Sequence, residues 1–216
     1  MREGVIRIGG ASGYWGDDPT AAAQLLKDRG LDYLVFDYLA EVTLSIMARA
    51  RAKDPDLGYA RDFVDVVMRQ NLPEIAQQKV RVISNAGGVN PQACAKAVRA
   101  LVTEMGLDLT VAVVQGDDLT ARATELSPQE MFTNAPFPNA DDIFSINAYL
   151  GAFPIARAME LGADIVITGR CVDSAVTLGA CIHAFGWGVE DYDQLAAGTL
   201  AGHILECGTQ ATGGIA

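Results

Sequence analysis

Residues 80–106 read VRVISNAGGVNPQACAKAVRALVTEMG, and this stretch decides the fold class. Val80 to Ile83 is a short apolar run of strand type, and it breaks into the turn-forming series Ser84-Asn85-Ala86-Gly87-Gly88. Asn90 then offers an N-cap and Pro91 a first helical residue. Cys94, Val98, Leu101, Val102 and Met105 recur at helical spacing, and Gly106 stops the helix. A strand that runs through a tight turn into an amphipathic helix is half of a βαβ unit, and such units build parallel sheets.

The same grammar repeats on both sides. Upstream, Val5 to Ile8 reads as a strand ending in the turn Gly9-Gly10-Ala11-Ser12-Gly13. Asp18 as N-cap, Pro19 at the first position and Gly30 as stop bracket a helix over 19–29. Leu34 to Phe36 is a second strand ending at Asp37, followed by a helix over 41–51 with Leu39, Val42 and Ile46 on one face. A loop at 53–59 precedes a further helix carrying Phe63, Val64, Val67 and Met68. Downstream, 109–114 is a strand ending in Gln115-Gly116-Asp117-Asp118, and 127–142, with three prolines, reads as an irregular loop. A short helix carries Ala156, Met159 and Leu161. Ile165 to Ile167 is a strand ending in Thr168-Gly169-Arg170, and Asp173 or Ser174 caps a helix to about residue 184. The expectation is a doubly wound, mostly parallel α/β sheet with helices on both faces, Rossmann-like, whose strand order the sequence leaves open. The 216 residues suit one α/β domain over 1–216. A Gly-rich, apolar stretch over 198–216 suggests that this domain is one part or one subunit of a larger unit.

Composition excludes several classes of function. The net charge is −11, which argues against nucleic acid and against anionic membranes as partners. No apolar run is long enough to span a bilayer, and the first residues lack the apolar core of a signal peptide. Cys94, Cys171, Cys181 and Cys207 form no metal-binding spacing and suggest reduced thiols in a cytoplasmic protein. Two histidines exclude a His-rich metal centre, and no metal ligands are singled out. No cofactor is specified. GxGxxG fails because position 8 is Ile, although Gly10, Gly13 and a downstream Asp37 leave a partial match, and there is no phosphate-binding GxxxxGK[ST]. No Ser-His-Asp triad follows from spacing. His183 reads as packed or superficial, and His203 with Glu206 as a buried structural pair. Tyr14 and Trp15, beside the first turn, are candidates for stacking on a ligand.

In open α/β sheets ligands bind outside the carboxyl ends of the strands. Parallel pairing would gather the five turns there, so the candidate site draws on each of them. Arg170, with Asp173 and the free N–H groups near Ser174, suits a carboxylate or thioester oxygen on a small anionic substrate. Asn85 with Gly87 and Gly88 would orient that substrate, and Gly10 and Ser12 would line the same edge. Asp37 and Glu41 are the acid/base candidates, provided burial brings a carboxyl toward neutrality.

Several motifs carry a further signal: residues 9–13, Asp37-Tyr38-Leu39-Ala40-Glu41, Ser84 through Pro91, Asn147 through Ala152, Ala163 through Arg170, and Glu206 through Gly214. Together they resemble the acyclic terpene utilisation AtuA family over essentially the whole chain. The resemblance implies bacterial catabolism of branched or terpenoid acids, handled as CoA thioesters, and a hydratase/lyase step on an acyl or hydroxy-acid substrate. Members of that family usually run on past the segment with which this chain ends, which agrees with a truncated or split unit, homo- or hetero-oligomeric. Two alternatives stand beside this: a non-catalytic subunit that a partner chain completes, and a Rossmann-like nucleotide-binding domain.

Overall fold

A computed structural model describes residues 4–212. Five strands, β1 (Ile8–Ser12), β2 (Tyr33–Phe36), β3 (Arg81–Ser84), β4 (Val111–Val114) and β5 (Ile165–Thr168), form an open sheet in the order β1-β2-β3-β5-β4. Every pairing is parallel. The helices are α1 (Ala21–Lys27), α2 (Glu41–Lys53), α3 (Arg69–Gln78), α4 (Pro91–Glu104), the single turn α5 (Ala123–Leu126), α6 (Phe153–Glu160), α7 (Ala175–Phe185) and α8 (Tyr192–Leu205). A π-helical segment, Phe63–Met68, leads into α3.

Two apolar layers sandwich the sheet. On one face Leu34, Phe36, Val82, Ile165 and Ile167 pack under α1, α2, α3 and α4. On the other, Tyr33, Val35, Ile83 and Val166 pack under α6 and α7. Adjacent strand residues therefore serve opposite layers, as the two-residue period of a strand requires. Among the described residues no helix is long and apolar enough to cross a membrane.

The winding fixes where a crevice can form. The crossover from β3 to β4 skips one position, and β5 later fills it. The chain leaves β3 for α4 on one face but leaves β5 for α7 on the other. The exits of β3 and β5 diverge, and this divergence is the switch point at which doubly wound sheets open to ligands.

Local signals in the 80–106 stretch hold closely. The Asn90 side chain accepts a hydrogen bond from the Ala93 amide at 3.3 Å, Pro91 is the first helical residue, and Gly106 has φ +64°. Cys94, Val98, Leu101 and Val102 are buried.

Three expectations are corrected. The first strand is Ile8–Ser12, not 5–8, so Gly9 and Gly10 are strand residues and Val5 is exposed. The reason is room. A Cβ on Gly9 would press on Leu25, Leu31 and Leu34 at 3.2–3.3 Å, and one on Gly10 would lie 2.7 Å from the Leu205 carbonyl. The glycines permit close packing on both sides of an edge strand. The first helix begins at Ala21 after Thr20, because Asp18 spends its side chain on the Thr20 amide and hydroxyl at 2.8 and 2.7 Å; Pro19 lies outside the helix, which ends at Lys27. In α2 the buried stripe is Leu44, Met47 and Ala48, while Val42 and Ile46 are 70% and 50% exposed. Tyr38 and Leu39, just before α2, are themselves buried.

Candidate functional site

At the crest of the sheet β2 ends on Asp37, β3 on Asn85 and β5 on Thr168-Gly169-Arg170. Asp37 is 3% exposed and Asn85 fully buried. The Asn85 amide donates to Asp37 Oδ1 at 2.5 Å, and its own oxygen accepts from the Tyr38 amide at 2.7 Å. The Leu39 amide also donates to Asp37 Oδ1, at 3.2 Å. Ser12, buried at the end of β1, donates its hydroxyl to the Asp37 carbonyl at 3.2 Å. These contacts hold the carboxyl in one orientation.

Two more carboxylates reach it. Asp173 comes from the turn between β5 and α7, and Glu206 from the end of α8. Oxygens of Asp37, Asp173 and Glu206 all lie within 4.8 Å of one another. Burial pushes the Asp37 carboxyl up to about 7; the Asn85 and Leu39 hydrogen bonds oppose the rise, and Asp173 and Glu206 add to it. Three oxygens at that spacing form a hard donor set of the kind divalent cations take, although the sequence singled out no metal ligand.

Glu206 escaped the sequence reading as a site residue. A glycine brings it here: a Cβ on Gly202 would lie 2.6 Å from the Ser174 carbonyl, so α8 presses against the start of α7. Gly13 makes a similar close approach, with a virtual Cβ 2.5 Å from the Cys207 carbonyl. The segment around 205–208 thus covers the β1 edge of the crest, where a pyrophosphate would sit in a dinucleotide site. The sequence clues were the cluster of glycines and the motif that opens with Glu206. His203 and Glu206 form a pair at 3.4 Å, but His203 lies on the outer face of α8 and is exposed, not buried.

Arg170 is the second centre. Its side chain is 3% exposed. Nη1 donates to the Leu39 carbonyl at 3.0 Å and to Asp173 at 2.7 Å, and the guanidinium lies 4.0 Å over the Tyr149 ring. Nη2 stands 4.0 Å from Glu41, whose carboxylate accepts the Tyr149 hydroxyl proton. That hydroxyl, more than Arg170, holds the exposed Glu41 carboxyl below its usual range. Arg170 Nε is buried and makes no hydrogen bond among the described residues. Arg170 therefore joins two groups of residues: Asp173 with Asp37 on one side, Tyr149 with Glu41 on the other. Beyond Glu41 and Tyr149 opens a cleft of about 440 Å³.

The remaining candidates hold the frame. Ser174, buried at the N-cap position of α7, makes no side-chain cap bond. Gly87 lets the β3 exit pass the Thr168 carbonyl, and Gly88, at φ +56°, packs against Met47 and Gly58. Asp117 accepts from the Arg170 amide at 2.7 Å and from Asn147 at 3.0 Å, tying β4 to β5. Burial pushes the Cys171 thiol up to about 12, which leaves it protonated and a poor nucleophile. Trp15 donates to Asp62 at 2.6 Å and packs on the core, whereas Tyr14 is half-exposed. His183 lies away from the crest, with Tyr33 Oη at 2.7 Å and Arg81 Nη1 at 2.7 Å from its ring nitrogens.

A family model for the acyclic terpene utilisation protein AtuA matches residues 6–216. The chain belongs to the AtuA family. This ties it to acyclic terpene utilisation. No curated protein and no solved structure matches it. In this AtuA-family chain the motifs at 37–41, 84–91 and 163–170 meet at the crest just described, and those at 9–13 and 206–208 press together over its edge.

The Asn85–Asp37 contact is open to a direct test. Asn85→Leu removes the donor that favours the charged carboxylate, so the Asp37 pKa should rise further. Carbon-detected NMR titration of the aspartate carboxyls checks the direction; an unchanged or lower midpoint would contradict it.

Proposed function

We propose that this protein adds water to, or removes it from, a branched acyl thioester, with Asp37 as the proton carrier. The observation that carries the reading is a buried carboxyl at the switch point, raised to about 7 and fixed by Asn85. A general base is most effective when its pKa lies near the working pH. In the hydration direction the Asp37 carboxylate takes a proton from water as the water oxygen bonds the β-carbon of a 2-enoyl group. Protonated Asp37 then passes that proton to the α-carbon, so that one water adds across the double bond, and dehydration is the reverse. Arg170 supports the step as a buried cation beside Asp173 and Asp37, its charge favouring the negative charge that develops on the thioester oxygen. Asn85 and the Gly87-Gly88 backbone orient the substrate. Asp173 and Glu206 favour the protonated form of Asp37. Glu41, exposed and held ionised by Tyr149, positions the Tyr149–Arg170 stack.

The test is hydration of branched 2-enoyl-CoA thioesters of five and ten carbons in isotopically labelled water. Expected are loss of enoyl absorbance, one labelled oxygen in the product, and a rate that rises with pH through a limb near 7. Absence of label with both thioesters would overturn the proposal.

A further inference from the structure

The cleft beside Glu41 and Tyr149 runs between α2 and the 137–149 segment, and neither the family match nor the crest chemistry assigns it a role. Leu44, Ala48 and Ser45 form its α2 wall. Phe137, Ile143 and Phe144 face them, so most of the lining is apolar. Phe144 is 64% exposed, so its ring is open to whatever enters the cleft. The volume, about 440 Å³, falls within the range of small-molecule sites.

Its position narrows the occupant. The cleft shares Glu41 and Tyr149 with the Arg170 stack, and Arg170 bonds Asp173 beside Asp37. The apolar hollow therefore abuts the Tyr149–Arg170 stack, and a molecule whose polar head lies against that stack can lay its tail in the hollow. α2 sets the length. Glu41 at one end and Arg49 at the other are eight residues apart, roughly 12 Å along a helix. Asp142 and Arg49 supply opposite charges on the lining, and Arg49 makes no ion pair among the described residues. An apolar channel of that length suits a branched hydrocarbon tail much longer than five carbons.

We infer that the α2 cleft is the chain-length pocket of the enzyme: it takes the hydrocarbon tail of the acyl substrate, and Ser45 and Phe144 set the preference for long branched chains. This rests on the reading of the crest as an acyl-processing site, but it concerns binding alone. Ser45 is exposed on the cleft wall, so a larger side chain there fills the hollow without entering the core.

The experiment measures binding of two unreactive free acids, 3-methylbutanoic acid and 3,7-dimethyloctanoic acid, by calorimetry on the full chain. Wild-type protein should bind the ten-carbon acid about 30-fold more tightly, since each buried methylene contributes roughly fourfold when fully covered and these are about half covered. Ser45→Trp should reduce that preference to threefold or less, and Phe144→Ala should weaken the ten-carbon acid selectively. Circular dichroism and thermal melting confirm that both variants are folded. Equal binding of the two acids by wild type, or an unchanged preference in folded Ser45→Trp, would overturn the inference. Because no turnover is needed, a preserved preference in a chain that fails to hydrate any thioester would refute the hydration chemistry and leave the pocket standing.

Discussion

Asp37→Asn should lower turnover about 10³-fold at pH 7 while the protein stays folded. General acid/base groups contribute 10²–10⁴-fold, and Asp37 is the buried carboxyl best poised to carry a proton here. The replacement nearly preserves shape. An asparagine oxygen can still accept from Asn85 and from the Leu39 amide. What disappears is the proton that comes on and off near neutrality. Stability should respond in the opposite sense. The folded-state pKa, about 7, lies above the unfolded value near 3.9, so the folded chain holds this proton more tightly. The resulting stabilisation is complete below about pH 4 and fades as pH rises through 7. Asp37→Asn removes that slope, so the variant should melt at a higher temperature than wild type at pH 8 and gain no such advantage at pH 4. Steady-state rates with enoyl thioesters and melting curves from pH 4 to 8 give both answers. Turnover within threefold of wild type would remove Asp37 from the chemistry.

The largest loss of stability should come from a single methyl group at the switch point. Gly87 lies where the exits of β3 and β5 pass each other. A Cβ there would overlap the Thr168 carbonyl and come within 2.7 Å of Pro91 Cβ and 2.8 Å of Pro91 Cα. None of these atoms is the free end of a flexible side chain. One side is the backbone of a central strand and the other a ring fixed at the start of α4. Gly87→Ala should therefore cost about 3 kcal/mol, the upper end of ordinary overpacking, and lower Tm by roughly 6–12 °C for a chain of this size. Urea unfolding measures it. A change under about 0.5 kcal/mol would mean the crevice has slack to widen. Gly106 is a suitable control for crowding, since nothing lies within 4 Å of its virtual Cβ, although its positive φ adds a local cost of its own.

Sequence reading located the strand ends that build the crest. Asp37 and Asn85 follow an apolar strand at once and Arg170 follows one after a single glycine, and the turn residues mark the spot, so their common edge follows from parallel winding alone. Arg170 was legible as an anion ligand or as a salt-bridge partner of a nearby aspartate, and the pair with Asp173 forms at 2.7 Å; its contacts with Leu39 and Tyr149 were not legible. Asp173, Leu39 and Tyr149 already occupy most of the guanidinium, and one of the three lies 131 residues away. Glu206 was illegible as a neighbour of Asp37, because no periodicity or cap relates residues so far apart in the chain.

Short-range chemistry was enough to establish the alternation of strand and helix and the boundaries of α4, since caps, turns and apolar periods act within a few residues. Tertiary packing alone decided that β5 inserts between β3 and β4, that Gly9 and Gly10 lie inside a strand, that α2 turns Val42 and Ile46 outward, and that α8 delivers Glu206 to the crest. Each of those outcomes depends on which surfaces can approach most closely once the whole chain is folded, and such distances are set by partners remote in sequence.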